Sequence, residues 1–352
     1  MANRFRHGYA LLIGVSENAV ARWALPDVEK DVTALAQVLT HPERCAYPPD
    51  HVKTLLGPEA TRNGILDGLD WLQAQIEQDG SDNATAILYF SGHGWQDASQ
   101  ESARYYLIPY DVREDRLRSS ALRSEDFAEA VAALTPRRLL VILDCCHAGG
   151  IDAKELGALP AGYTPKALEP TRFVTDAETG AASPEDGEAG AQGKGLSALG
   201  VGAGRAVLSS SQGDQRSYMR RDGAMSIFTY HLIEALTGHA QPAAGATEVL
   251  VSDVMSYVTR TVPRSAWEQA RAVQTPDFRV TGNFPVALLL GGKGLDATTP
   301  PPDPLQPLPP GATVIDSGGD VYNVHMSDIG SDSQIAIGNN IQQSKGERRR
   351  NE

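Results

Sequence analysis

The chain has 352 residues, 41% of them hydrophobic, and its 31 lysines and arginines stand against 44 acids for a net charge of −13. Such a length suits one large domain or two smaller ones with a real core. The acidic balance excludes nucleic acid and anionic membrane as natural partners, because phosphate binding needs clustered cations. The three cysteines, two of them adjacent at Cys145 and Cys146, form no disulfide framework and point to a reducing, cytoplasmic setting. The start, MANRFRHGYALLIGV, has a short apolar stretch without a small-residue cleavage site and reads as a first core strand. No run approaches the ~18 apolar residues of a membrane span.

In chain order, YALLIGV (9–15) is a continuous apolar run ending near glycine, the pattern of a strand buried on both faces. DVEKDVTALAQVLT (27–40) places Val28, Val32, Leu35, Ala36 and Leu39 at helical spacing with acids in the first turn. HVKTLLG (51–57) reads as a strand, and residues 61–78 as a helix with Ile65, Leu69, Leu72 and Ile76 on one face. ATAILYFSGHG (84–94) is a strand running into a glycine turn, residues 124–136 are helical, and RRLLVILDCCHAGG (137–150) is another strand with a glycine turn. Strand and helix alternate, so the expected fold class is α/β, with helices flanking a mostly parallel central sheet.

Residues 151–203 change character: Gly, Ala, Glu, Pro and Thr dominate, as in a flexible surface segment. Order returns with GRAVLSSS (204–211) as a strand and Ser turn, SIFTYHLIEALTG (226–238) as a helix, 249–262 as a further helix, and 276–290 as extended pieces closing the core. The expected layout is one domain over 1–290, a Pro-rich linker over 291–313 and a tail over 314–352. Within the domain, 1–150 and 204–290 flank the 151–203 segment.

In a parallel sheet, ligands bind beyond the carboxyl ends of the strands. His93 and the Cys145–Cys146 pair both follow predicted strands in glycine-flanked turns. If those strands are parallel neighbours, both groups face one crevice. There an imidazole can generate or stabilise a nucleophilic thiolate. The thiol's own N–H, with that of Gly94, would line an oxyanion hole. His147 is a poor base for its immediate neighbour, because adjacent side chains leave a sharp turn in different directions. Zinc is disfavoured, since adjacent ligands suit a tetrahedral site badly and no C-x₂-C spacing occurs. On these grounds alone either cysteine is a candidate.

YFSGHG, followed by DCCHAGG, resembles the His and Cys motifs of the caspase-like clan, particularly metacaspases and their prokaryotic relatives. The segments YALLIGV, LPDVEKDVTALAQVL, YYLIPYDV (105–112) and LSSSQGDQRSYM…SIFTYHLIEAL are similar to family elements in the same order, over roughly residues 8–290. The resemblance implies a cysteine endopeptidase with a Cys-His dyad. His93 would be the general base or acid, and Cys146 the nucleophile and oxyanion-hole donor with Gly94, while Cys145 stands where the family has a small residue. It further implies a pocket for the residue preceding the cut, lined by Asp31 and Asp144. Two carboxylates in one partly buried pocket favour a cation between them, hence Arg or Lys.

Ser209, Ser210 and Ser211 end the strand that borders the family's substrate cleft, where an added substrate strand would pair. The acidic cluster that many metacaspases use for calcium is reduced here to Asp97 and Glu101, so no cofactor and no metal is expected. Lys154, Lys166, Arg172 and Lys194 are basic sites at which the chain would be cut between subunits. The rivals are a dedicated-substrate protease of the separase or CHAT type and a non-catalytic caspase-like scaffold.

QIAIGNNIQ (334–342), preceded by VYNVHMS, resembles short amyloid-forming signalling motifs of immune and cell-death proteins. The expected partners are therefore a protein or peptide substrate and, through residues 321–343, a homotypic or heterotypic amyloid-motif partner. Such a tail suits a signalling or defence effector.

Overall fold

The computed structural model describes residues 4–80, 83–97, 104–145, 199, 203–212, 215–240 and 246–290. In order these form β1 (Gly8–Gly14), α1 (Asp27–Thr40), β2 (Val52–Leu56), α2 (Arg62–Asp79), β3 (Thr85–Ser91), β4 (Gly94–Asp97), β5 (Arg104–Leu107), α3 (Leu117–Ser120), β6 (Leu122–Arg123), α4 (Ser124–Ala133) and β7 (Arg138–Asp144). β8 (Arg205–Ser209), α5 (Ile227–Glu234), β9 (Glu248–Leu250), α6 (Val251–Ala270), β10 (Asp277–Val280) and β11 (Pro285–Leu288) follow. Cys146, the 151–198 segment and everything beyond 290 lie outside the described residues, as do the expected linker, tail motif and cleavage sites.

The main sheet has the order β10-β8-β7-β3-β1-β2. β2, β1, β3, β7 and β8 run parallel, and β10 closes one edge antiparallel to β8. β1 and β3 are buried at every residue, as continuous apolar runs in a doubly covered parallel sheet should be. The expected fold class, a mostly parallel sheet flanked by helices, is the one found.

Strand alternation divides the core by face. Ala10, Leu12, Ile87, Tyr89, Leu140, Ile142, Ala206 and Leu208 pack under α1, α5 and α6. Leu11, Ile13, Leu88, Phe90, Val141 and Leu143 pack under α2 and α4 through Ile65, Leu69, Leu72, Phe127 and Val131. The apolar stripe over α1 is the one read from the sequence. α2 starts where the Thr61 hydroxyl accepts from Gly64 N–H at 2.9 Å and stops at left-handed Gly80. At Gly68 that helix lies close on the sheet, where an added Cβ would come within 2.9 Å of Leu55.

Two expectations of extent change. The helix expected over 249–262 is instead strand β9, antiparallel to β11, followed by α6 running to Ala270. Val249 pairs with Ala287 in that small sheet, and the Asp253 carboxylate accepts the Leu250 N–H at 2.8 Å, setting the helix start later. Pro263, just past the expected end, is carried inside α6. Likewise α5 is regular only to Glu234, then widens over Ala235–His239, where Gly238 takes φ 90°.

Candidate active site

The site grows from the carboxyl ends of β3, β7 and β8. In register, Ser91 of β3 lies beside Asp144 of β7, and Leu143 beside Ser209 of β8. By the same alternation Ser91, Asp144 and Ser210 face the α1/α5 side, with Ser210 N–H donating to Leu143 O at 2.9 Å. Cys145, one residue further, packs on the opposite face among Leu143, Leu122 and Phe127, and is 1% exposed. The two chemical motifs meet directly: Gly92 N–H reaches the Asp144 carbonyl at 3.4 Å.

His93 is buried, and its Nε2 lies 3.0 Å from the carbonyl oxygen of Trp23. A carbonyl only accepts, so in the neutral ring Nε2 carries the proton and Nδ1 is the basic nitrogen. Trp23 is held by a one-turn helix at Ala21–Trp23 and joins Trp95, Tyr106, Ile108 and Leu117 in a separate apolar cluster. Gly94 opens β4 and pairs with Leu107 of β5, while the His93 carbonyl accepts from Ile108 N–H at 3.1 Å. The His93 turn is thus fixed on both sides of the ring.

Asp31 and Asp144, which share no local sequence, come together. Both are wholly buried; Asp31 is no ordinary exposed helix acid. Ser226, the N-cap of α5, bridges them: its backbone N–H donates to Asp31 Oδ1 at 2.7 Å and its hydroxyl donates to Asp144 Oδ2. Asp31 Oδ2 also accepts from the Ser91 hydroxyl at 3.3 Å. Asp144 accepts from Ser217 at Oδ1, 2.7 Å, and from Thr229 at Oδ2, 2.9 Å. Hydrogen bonds to an ionised acceptor are worth about 1.5–3 kcal/mol each, which offsets much of the cost of burying the charge. Nearby Tyr89, hydrogen-bonded to Thr229 at 2.6 Å, has its phenol held well above the ordinary range by burial first, then by the charges of Asp31 and Asp144.

Ser209 pairs with Leu143 and Asp277, and Ser210 gives its N–H to Leu143 and its carbonyl to Gln274 Nε2 at 3.1 Å. These backbone groups are engaged inside the fold, and the chain then turns through Ser211 toward Gln215, whose carbonyl accepts the Ser211 hydroxyl at 3.2 Å. Asp97 is buried and held bidentately by Arg118, at 2.6 and 3.3 Å. Among the described residues there is no cluster of three or more His, Cys, Asp or Glu that would hold a metal, and no helix is long and apolar enough to cross a membrane.

The sequence reading missed Ser91, Ser217, Ser226, Thr229 and Gln274. Only Ser226 left a signal, a serine immediately before the apolar helix IFTYHLIE.

The family model described as the caspase domain of peptidase C14 matches residues 7–283. The chain belongs to the caspase-domain peptidase family. It carries the family's mostly parallel, helix-flanked sheet, with His93 and the Asp144–Cys145 turn at one end of it. Solved caspases are similar at low identity. Caspase-1 from Spodoptera frugiperda is 14% identical over 84% of this chain and 93% of that one, with TM-score 0.47. The Drosophila initiator caspase Dronc is 11% identical over 84% and 87%, with TM-score 0.45. Among curated proteins none matches the chain.

Proposed function

We propose that this caspase-domain protein is a metacaspase-like cysteine endopeptidase that cleaves after Arg or Lys. The observation that carries the reading is the convergence of Asp31 and Asp144, buried together and bridged by Ser226, beside the His93 turn. A pocket floored by two carboxylates favours a cationic side chain and rejects the acidic one. Packing of Cys145 into the α2/α4 face supports Cys146 as the nucleophile.

In this reading the Cys146 thiolate attacks the carbonyl carbon of the bond following the basic residue. The C=O π pair moves to oxygen, where the N–H groups of Cys146 and Gly94 receive the oxyanion. His93, whose Nδ1 has taken the Cys146 thiol proton, passes that proton to the leaving amine as the C–N bond breaks, then takes one at Nδ1 from the water that releases the acyl group. Holding Nε2–H on Trp23 keeps the ring oriented through both steps.

The test is covalent labelling with an Arg-directed activated-carbonyl probe. Wild type and Cys145→Ala should label and Cys146→Ala should not; loss of labelling in Cys145→Ala alone would overturn the assignment. Recruitment through residues 321–343, for a signalling or defence role in the cytoplasm, belongs to the same proposal. Seeded fibril formation by a 315–345 peptide tests it, and a peptide that stays soluble with every candidate partner rejects it.

A further inference from the structure

Each of the three hydroxyls on Asp144 is contacted in turn by a second group, and two of those groups can only donate. Gln274 Nε2 lies 3.3 Å from Ser217 Oγ, and Thr229 N–H lies 2.9 Å from Ser226 Oγ. An amide N–H supplies the proton in such a contact, so the serine hydroxyl keeps its own proton for the carboxylate. The third arm runs from Tyr89 to Thr229 Oγ1, which also reaches Asp144. If Thr229 donates to Asp144, Tyr89 donates to Thr229. The arms therefore have one direction: Gln274 to Ser217 to Oδ1, and Thr229 N–H to Ser226, and Tyr89 to Thr229, both to Oδ2.

We propose that Gln274, Tyr89 and the Ser226 cap are positioning residues that keep Asp144 ionised by turning three hydroxyl protons onto it. Its attraction for a substrate cation then persists when the medium is acidified. The functional half of this rests on the basic-residue specificity proposed above; the charge of Asp144 does not. Gln274 is suited to the role. It is wholly buried on the loop after α6, and its Oε1 accepts from Tyr218 N–H at 3.1 Å while Nε2 also reaches Ser210 O. One amide thereby ties the end of β8 to the Ser217–Tyr218 segment and orients the serine between them.

Among the described residues, these ionisable groups lie on the elements around Asp144. α1 brings Asp31, β3 brings Tyr89, and the turn beyond β3 brings His93. Arg216 precedes Ser217 in the chain. Arg220, also on the segment before α5, has its guanidinium 3.7 Å over the Tyr230 ring and is paired with Asp222 at 2.7 Å. The β8 end contributes Ser209 and Ser210, and the start of α5 contributes Ser226, Thr229 and the titratable Tyr230, which lies under the Arg220 guanidinium.

The experiment is infrared spectroscopy of the full chain, in which the Asp144 acid band is the carbonyl-stretch intensity that Asp144→Asn removes. At about pH 4, the ordinary aspartate midpoint, wild type should show no such band, whereas Tyr89→Phe and Gln274→Met should show it. A band in wild type, or none in Tyr89→Phe, overturns the relay. Tyr89→Phe keeps the ring in the core and serves if Gln274→Met does not fold. In peptide assays, KM for an Arg-ended substrate should rise about tenfold in either variant, more than kcat changes and increasingly as pH falls, the scale of one lost charge-directed hydrogen bond. Failure of wild type to cleave any Arg or Lys peptide would reject the specificity alone, since the infrared reading needs no substrate.

Discussion

At the scale of single residues, the site depends on which side of a strand each group leaves. Asp144 and Cys145 are neighbours in sequence, yet one joins Asp31, Ser226 and Thr229 while the other packs with Leu143 and Phe127. Asp144→Asn should keep the fold's shape but raise KM for Arg peptides at least tenfold, because an amide cannot match the charge of a guanidinium. A kcat falling while KM stays fixed would place Asp144 outside the pocket. Cys45 illustrates the opposite case, a thiol packed into the core under α1, α5 and α6. It is wholly buried, and desolvation pushes its pKa up to about 12 against an ordinary 9.0. Neutral thiol is thus favoured in the folded state. Its contribution to stability is present below pH 9.0 and is lost as pH rises from there toward about 12. Urea unfolding followed across that range should fall more steeply for wild type than for Cys45→Ala, and native alkylation of Cys45 should be negligible at neutral pH.

Among the elements, β8 and α5 matter most, since they bring the second half of the chain onto the first. β8 is entered through Gly204, whose φ of +71° and 2.3 Å Cβ approach to the Arg137 carbonyl leave no room for a side chain. Gly204→Ala should cost roughly 2–4 kcal/mol from backbone strain and clash together. A change below about 0.5 kcal/mol in chemical denaturation would show that the turn relaxes freely. α5 begins at Ser226, and Ser226→Ala removes a cap worth about 1 kcal/mol as well as the hydroxyl on Asp144. That variant should lose both stability and affinity for basic peptides, whereas Thr61→Ala, which uncaps α2, should lose only stability. The helices α1, α2 and α4 were legible because their apolar stripes repeat at helical spacing. β9 was not: three residues of Glu-Val-Leu merge with the helix behind them, and only pairing with β11 separates the two.

Taken whole, the molecule joins a net charge of −13 to a buried acidic pair at the mouth of its sheet. The long-range field should draw cationic peptides toward the site, so kcat/KM for Arg substrates should fall as salt is raised. A rate indifferent to ionic strength would confine the electrostatics to the pocket. The alternation of apolar runs with periodic helices was enough to specify an α/β layering, because burial on both faces writes itself into composition strand by strand. The glycines that follow the apolar runs of β3 and β7 in the sequence likewise pointed to a candidate site at that end of the sheet. The partners of Asp144 could not be read in this way. Ser217, Ser226 and Thr229 are 73, 82 and 85 residues from it, and Ser226 is 195 residues from Asp31. A hydrogen bond between such distant positions imposes no period and needs no particular neighbours, so hydroxyls that orient a buried carboxylate look like any others until the chain is folded.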